Sequence, residues 1–188
     1  METITSQAGY ERVARWHDFE RNAHGVRFRA ETDAGTPVEV AVEFVLPQVA
    51  RLRMGLDRLG PARSDLLVRD QWEPVPFLTS EAPGHLEVAT RFLQVGVARD
   101  PWRVRLLEAS GEVICREASE CIPGGLHEVD TLSLSADLGF LHDDETGKAW
   151  VHETFGLAPG EDLYGLGEQF ARINRVGQQI ELWATDAF

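Results

Sequence analysis

Apolar residues recur at every second position through much of this chain, which is the period of a half-buried strand and not of a helix. The clearest case runs through Val38, Val40, Val42, Phe44 and Leu46, with Glu39 and Glu43 on the opposite face. Pro47 ends this strand by removing a ladder donor. Val26 to Ala30 alternates in the same way, and Asp33 to Pro37 is the turn between the two. Further strands are expected at Val49–Leu56, Leu86–Phe92, Leu93–Ala98 and Trp102–Glu108, where Trp102, Val104 and Leu106 share a face opposite Arg103 and Arg105. Ser110-Gly111 makes a hairpin turn into Glu112–Arg116. Thr131–Ser135, Leu138–His142 and Lys148–Phe155 complete the series, with Asp143 to Gly147 joining the last two.

Two stretches break the pattern. Tyr10, Val13, Trp16 and Phe19 are spaced by three, which reads as a short helical stripe or an irregular lead-in after a loose terminus. Gly60 to Gly84, with Pro61, Pro74, Pro76 and Pro83, reads as a long loop with a single strand near Leu66–Val68. Short strands separated by turns about every ten residues predict an all-β fold, an antiparallel β-sandwich.

Composition narrows the partners. The chain has 188 residues, with 18 basic and 31 acidic side chains and a net charge of −13. Such a surface repels phosphate backbones and anionic lipid, so neither nucleic acid nor a membrane is an expected partner. Neutral ligands such as sugars suit it, and so does a plain role in solubility. Met1 to Ala14 has no apolar run of the secretory kind and no stretch reaches the length of a membrane span, so a cytoplasmic location is expected. Cys115 and Cys121 lack a second pair for a zinc site and read as structural thiols.

The common catalytic signatures are missing: there is no Gly-x-Ser-x-Gly elbow, no His-Glu-x-x-His and no P-loop. The acids of Asp143-Asp144-Glu145-Thr146-Gly147 lack calcium-loop spacing and read as a solvated hairpin tip. No cofactor or metal is expected. Six histidines are scattered singly; His142 and His152, placed about one turn, are expected to face each other across their hairpin. Such a pair would be the local basis for a sugar mutarotase activity. Trp72, Trp102 and Trp150 are the stacking platforms that a stand-alone carbohydrate-binding module would need.

The last stretch is unlike the rest. Tyr164-Gly165-Leu166-Gly167-Glu168 crowds glycines into a tight, non-strand corner. A dinucleotide loop is excluded there by Phe170, which stands where a third glycine belongs. Gly177 is a turn between Ile173 and a strand at Gln178–Trp183. Tyr164, Gly165, Leu166, Gly167, Glu168, Phe170, Asn174, Gly177, Trp183 and Asp186 together resemble a signature of the N-terminal domain of glycoside hydrolase family 31, which includes α-glucosidases and α-xylosidases. The chain departs from it at Gln169, where a basic residue is usual, and at Ala184, where Asn is usual. Phe170 and Asn174-Arg175-Val176-Gly177-Gln178 look closest to the bacterial α-xylosidase branch.

The resemblance implies a galactose mutarotase-like sandwich over residues 1–188, a single N-terminal domain incomplete at its C-terminal end. Residues 164–188 would form a loop reaching the active site of a (β/α)8 barrel that this chain does not contain. The barrel carries the two carboxylates of a retaining mechanism, so no catalytic residue is assigned here. Asp186 is the one expected substrate-binding residue, because a carboxylate accepts strong hydrogen bonds from sugar hydroxyls. The implied partners are a carbohydrate substrate and the catalytic barrel of the same enzyme. Unpaired sheet edges would make the chain alone prone to self-association.

Overall fold

Alternating strands need a cover for their apolar face, and two sheets supply it for each other. The computed structural model describes residues 10–60, 71–117, 138–143, 148–165 and 173–178. Its strands are β1 (Tyr10–Arg21), β2 (Gly25–Thr32), β3 (Pro37–Leu46), β4 (Val49–Leu56), β5 (Leu78–Ala82), β6 (His85–Ala89), β7 (Leu93–Arg99), β8 (Trp102–Glu108), β9 (Val113–Arg116), β10 (Gly139–Asp143) and β11 (Lys148–His152). One sheet has the order β11-β10-β1-β2-β3-β4 and the other runs β5-β6-β7-β8-β9. Neighbouring strands are antiparallel throughout. No helix occurs among the described residues, and the all-β expectation holds.

The core lies between the sheets. Val13, Trp16, Phe28, Val40, Val42 and Phe44 come from the first sheet; Leu86, Val88, Val95, Val97, Trp102 and Val104 come from the second. Phe28 meets Trp102 edge-on, with ring centroids 5.5 Å apart. The Trp16 indole N–H donates to the Ala98 carbonyl at 3.1 Å, so a polar bond also joins the two sheets. Truncating either tryptophan to alanine would cost about 3–5 kcal/mol.

β1 replaces the expected helical stripe, and its register explains the spacing. Val13 pairs with Thr32, Trp16 with Ala30 and Phe19 with Phe28. The partner strand steps by two while β1 steps by three, because register shifts fall between Val13 and Arg15 and between Trp16 and Asp18. Each bulge adds one residue to one strand, and two in succession imitate a helical period.

The expected long loop is also corrected. Val75 and Phe77 are buried, and Phe77 packs on Phe44 with centroids 5.9 Å apart. Arg21 lies over the Phe77 ring at 4.4 Å and donates to its carbonyl at 2.7 Å. β5 follows directly, at the edge of its sheet and mostly exposed. An edge strand with no buried face has no alternation to read. The strand expected at Leu66–Val68 lies outside the described residues, as does that at Thr131–Ser135.

On the outer face of β3, Glu43 is only 8% exposed. Arg51 donates to it twice, at 3.0 and 2.7 Å, and also stacks on Trp72 at 4.7 Å. Beyond β11, Phe155 bridges to Glu117 and the Gly156 amide donates to the Arg116 carbonyl at 2.8 Å. The chain thus leaves the edge of one sheet and pairs with the end of the other. The sandwich falls within a first compact unit, Met1–Gly156, and Leu157–Phe188 forms a second.

Candidate functional site

The described part of the second unit consists of two arms, Leu157–Gly165 and Ile173–Gln178. Backbone and side chains lace them together. The Arg175 amide donates to the Leu163 carbonyl at 2.7 Å, and the Leu163 amide donates to Asn174 Oδ1 at 3.4 Å. Asn174 Nδ2 donates to Asp162 Oδ1 in a short bond. The other oxygen of Asp162 accepts the Tyr164 hydroxyl at 2.9 Å. Asn174 Oδ1 accepts a further bond from the Val176 amide at 3.0 Å, a local side-chain turn.

Two glycines make the geometry possible. Gly177 has φ +73° inside a turn closed by the Gln178 amide on the Arg175 carbonyl at 3.0 Å. That is the left-handed third position a type II turn requires. Gly165 has φ +104°, where a side chain would be strained. Its carbonyl accepts from Arg175 Nε at 3.3 Å. Arg175 is 8% exposed, so the guanidinium is an internal brace for the two arms and not a solvated charge. Tyr164, Leu163 and Ile173 stay exposed around it.

The carboxylate of Asp162 already accepts from Asn174 and Tyr164, so the arrangement anchors and presents without offering a poised acid or base. Its hydrogen bond, and secondarily its charge, hold the Tyr164 phenol above the ordinary tyrosine range. Asp162 was not singled out from sequence; the one available signal was Asn174 in the signature, since the pair becomes visible only when the arms fold together. The corner expected at Tyr164–Glu168 is described only for Tyr164 and Gly165, and the turn at Gly177 stands as expected. Trp183, Asp186 and the strand expected at Gln178–Trp183 fall outside the described residues, apart from Gln178.

Two expectations are corrected. In the β10–β11 register His152 faces Gly139 and His142 faces Ala149, so the histidines sit three positions out of step. His152 instead approaches the Tyr10 ring, edge-on at 6.4 Å. The pair that supported a mutarotase is therefore absent. Trp102 is fully buried, and its indole N–H donates to Glu117 at 3.2 Å. It sits on the inner face of β8 and cannot stack on a sugar. Trp72 is half-buried with Arg51 on its ring; the side chain of Trp150 lies outside the description. Among the described residues, no group of three or more His, Cys, Asp or Glu is placed to hold a metal.

Two antiparallel sheets packed about a shared apolar core define a β-sandwich domain. Residues 39–188 match the model of the glycosyl hydrolase 31 N-terminal galactose mutarotase-like domain, and the chain belongs to that family.

Solved structures agree on the fold. The cycloalternan-forming enzyme of Listeria monocytogenes, in complex with a pentasaccharide substrate, is similar with a TM-score of 0.64 and 17% identity over 90% of this chain. A Flavobacterium johnsoniae dextranase of glycoside hydrolase family 31, a mutant complexed with isomaltotriose, gives 0.65 and 16% over 94%. This chain spans only 14% and 19% of the length of those two enzymes.

Proposed function

We propose that the chain is the non-catalytic N-terminal part of a retaining α-glycosidase of glycoside hydrolase family 31. Its sandwich packs against a catalytic barrel of the same enzyme, and residues 164–188 form a loop on the substrate side. Asp186 accepts hydrogen bonds from sugar hydroxyls at the end of that loop. The observation that carries the proposal is the family match, which runs from residue 39 through the whole signature to Phe188. The laced arms Asp162–Gly165 and Asn174–Gln178 support it, since a substrate-side loop needs a stiff base to hold a carboxylate in place.

An α-xyloside or α-glucoside is the proposed substrate class of the whole enzyme. Phe170 and the Asn174 to Gln178 run favour the xyloside. A cytoplasmic setting belongs to the same proposal. Among the described residues no helix is long and apolar enough to cross a membrane.

Purified 188-residue chain, incubated with p-nitrophenyl α-xyloside and α-glucoside, should release no p-nitrophenol. One loop carboxylate lacks the partner acid that general acid–base hydrolysis demands. Turnover by the chain alone would refute the non-catalytic assignment.

A further inference from the structure

The hydrogen bonds that lace the two C-terminal arms leave unused donors and acceptors beside an exposed aromatic ring. Asn174 Oδ1 is saturated by the Leu163 and Val176 amides, at 3.4 and 3.0 Å. Its Nδ2 carries two N–H groups, and among the described residues one of them is used, on Asp162 Oδ1. Each oxygen of Asp162 accepts one bond, from Asn174 or from the Tyr164 hydroxyl at 2.9 Å, and each keeps a further lone pair. One amide donor and two carboxylate acceptors thus stay open on a linked pair of side chains.

The Tyr164 ring adjoins them. It is 64% exposed. Its hydroxyl is tied to Asp162, which fixes the ring and leaves little rotamer freedom to lose when a flat surface packs on its face. A tyrosine held this way supplies contact area at low entropic cost. Leu163 and Ile173, the sequence neighbours of Tyr164 and Asn174, are exposed as well.

The open groups narrow the ligand. A hydroxyl donates and accepts at once, so it satisfies the Asn174 N–H and an Asp162 oxygen together. An ammonium group suits the carboxylate and the ring but leaves the amide donor unmatched. An anion meets Asp162, the adjacent Glu161 and a net charge of −13. A neutral polyhydroxylated ring with an apolar C–H face meets every requirement.

We propose that Asp162, Asn174 and Tyr164 form a sugar-contact site that takes a neutral pyranose. The Tyr164 ring lies under the apolar face of the sugar, and the amide–carboxylate pair holds one of its hydroxyls. The site is additional to the role proposed for Asp186 and consists of described residues alone. A few contacts on an open surface bind weakly, with a Kd on the order of 1 mM.

Backbone amide shifts of the intact chain would be followed by NMR during separate titrations with methyl α-glucopyranoside, methyl α-xylopyranoside and methylammonium chloride. Glycerol is the control for hydroxyl groups without a ring face. Saturable shifts at Asp162, Leu163, Tyr164 and Asn174 are expected with at least one glycoside and with neither glycerol nor methylammonium. Tyr164→Ala should weaken the saturating affinity about tenfold, whereas Tyr164→Phe, which keeps the ring, should weaken it about threefold or less. Unchanged Arg175 and Gly177 amide signals confirm that the arms stay laced in both variants. Linear shifts with both glycosides, shifts matched by glycerol, saturation by methylammonium instead, or saturation undiminished in Tyr164→Ala would overturn the proposal. Any of these leaves the non-catalytic assignment standing, because that assignment is read from bond cleavage and this site from binding.

Discussion

The side-chain amide of Asn174 donates to the carboxylate of Asp162, and that bond joins residues 12 apart in the chain, one on each of two arms that further hydrogen bonds also lace together. The same carboxylate accepts the Tyr164 hydroxyl, so one acid organises the described part of the C-terminal unit. Its consequences can be measured without knowing any substrate.

Tyr164 reports on this link. Its phenol titrates above the ordinary value of about 10. A raised folded-state value means that the contribution to stability is fully present below the unfolded value and is lost as pH rises through the folded one. The chain has two tyrosines, Tyr10 and Tyr164, so phenolate absorbance in a Tyr10→Phe background follows Tyr164 alone. Asp162→Asn should bring that titration down toward the ordinary range. An unchanged midpoint would show that the Asp162 bond does not form in solution.

Glu117 should be a structural acid. It is 2% exposed and accepts from the Trp102 indole and the Val104 amide. Glu117→Ala leaves both donors buried and unpaired, and should cost about 3 kcal/mol in urea unfolding. Glu117→Gln keeps an acceptor oxygen and should cost less, about 1 kcal/mol.

Glycines separate by what surrounds them. At Gly25 a Cβ would sit 2.0 Å from the Val42 carbonyl oxygen, which is backbone of the paired strand and cannot step aside. Gly25→Ala should cost about 3 kcal/mol or more by prising β2 from β3. Gly35 has open space around it, and only its φ of +84° opposes a side chain. Gly35→Ala should cost about 1 kcal/mol. Thermal or urea unfolding of the pair checks the ranking.

Much of the sandwich was legible because its central strands bury one face against the opposite sheet. Val38 to Phe44 and Trp102 to Val104 alternate for that reason, and they lie where alternation put them. β1 was illegible because its two bulges turned a period of two into a period of three. β5 was illegible because an edge strand with one neighbour need not alternate. The His142–His152 pairing failed on register, which depends on where the intervening turn closes and not on the count of residues.

Burial deceived in a second way. Glu43 points away from the core, as its position in the alternation says, yet Arg51 and Arg53 cover it. Sequence spacing assigns a face but not what lies over it. The signature residues Gly165, Asn174 and Gly177 were readable because their backbone demands are local. Asp162 was not, because its role arises from a contact between separate arms. The assignment of Asp186 rests on the family signature alone.

The central claim, that the C-terminal segment contacts substrate without performing catalysis, is tested most directly by the kinetics of the complete enzyme carrying Asp186→Asn. Losing a charged acceptor for sugar hydroxyls should lower kcat/KM on its α-glycoside substrate by about 10- to 150-fold, while the enzyme folds normally and retains measurable turnover. An unchanged kcat/KM would contradict a substrate-binding role for Asp186, and complete loss of turnover in a folded enzyme would contradict the assignment of catalysis to the barrel alone.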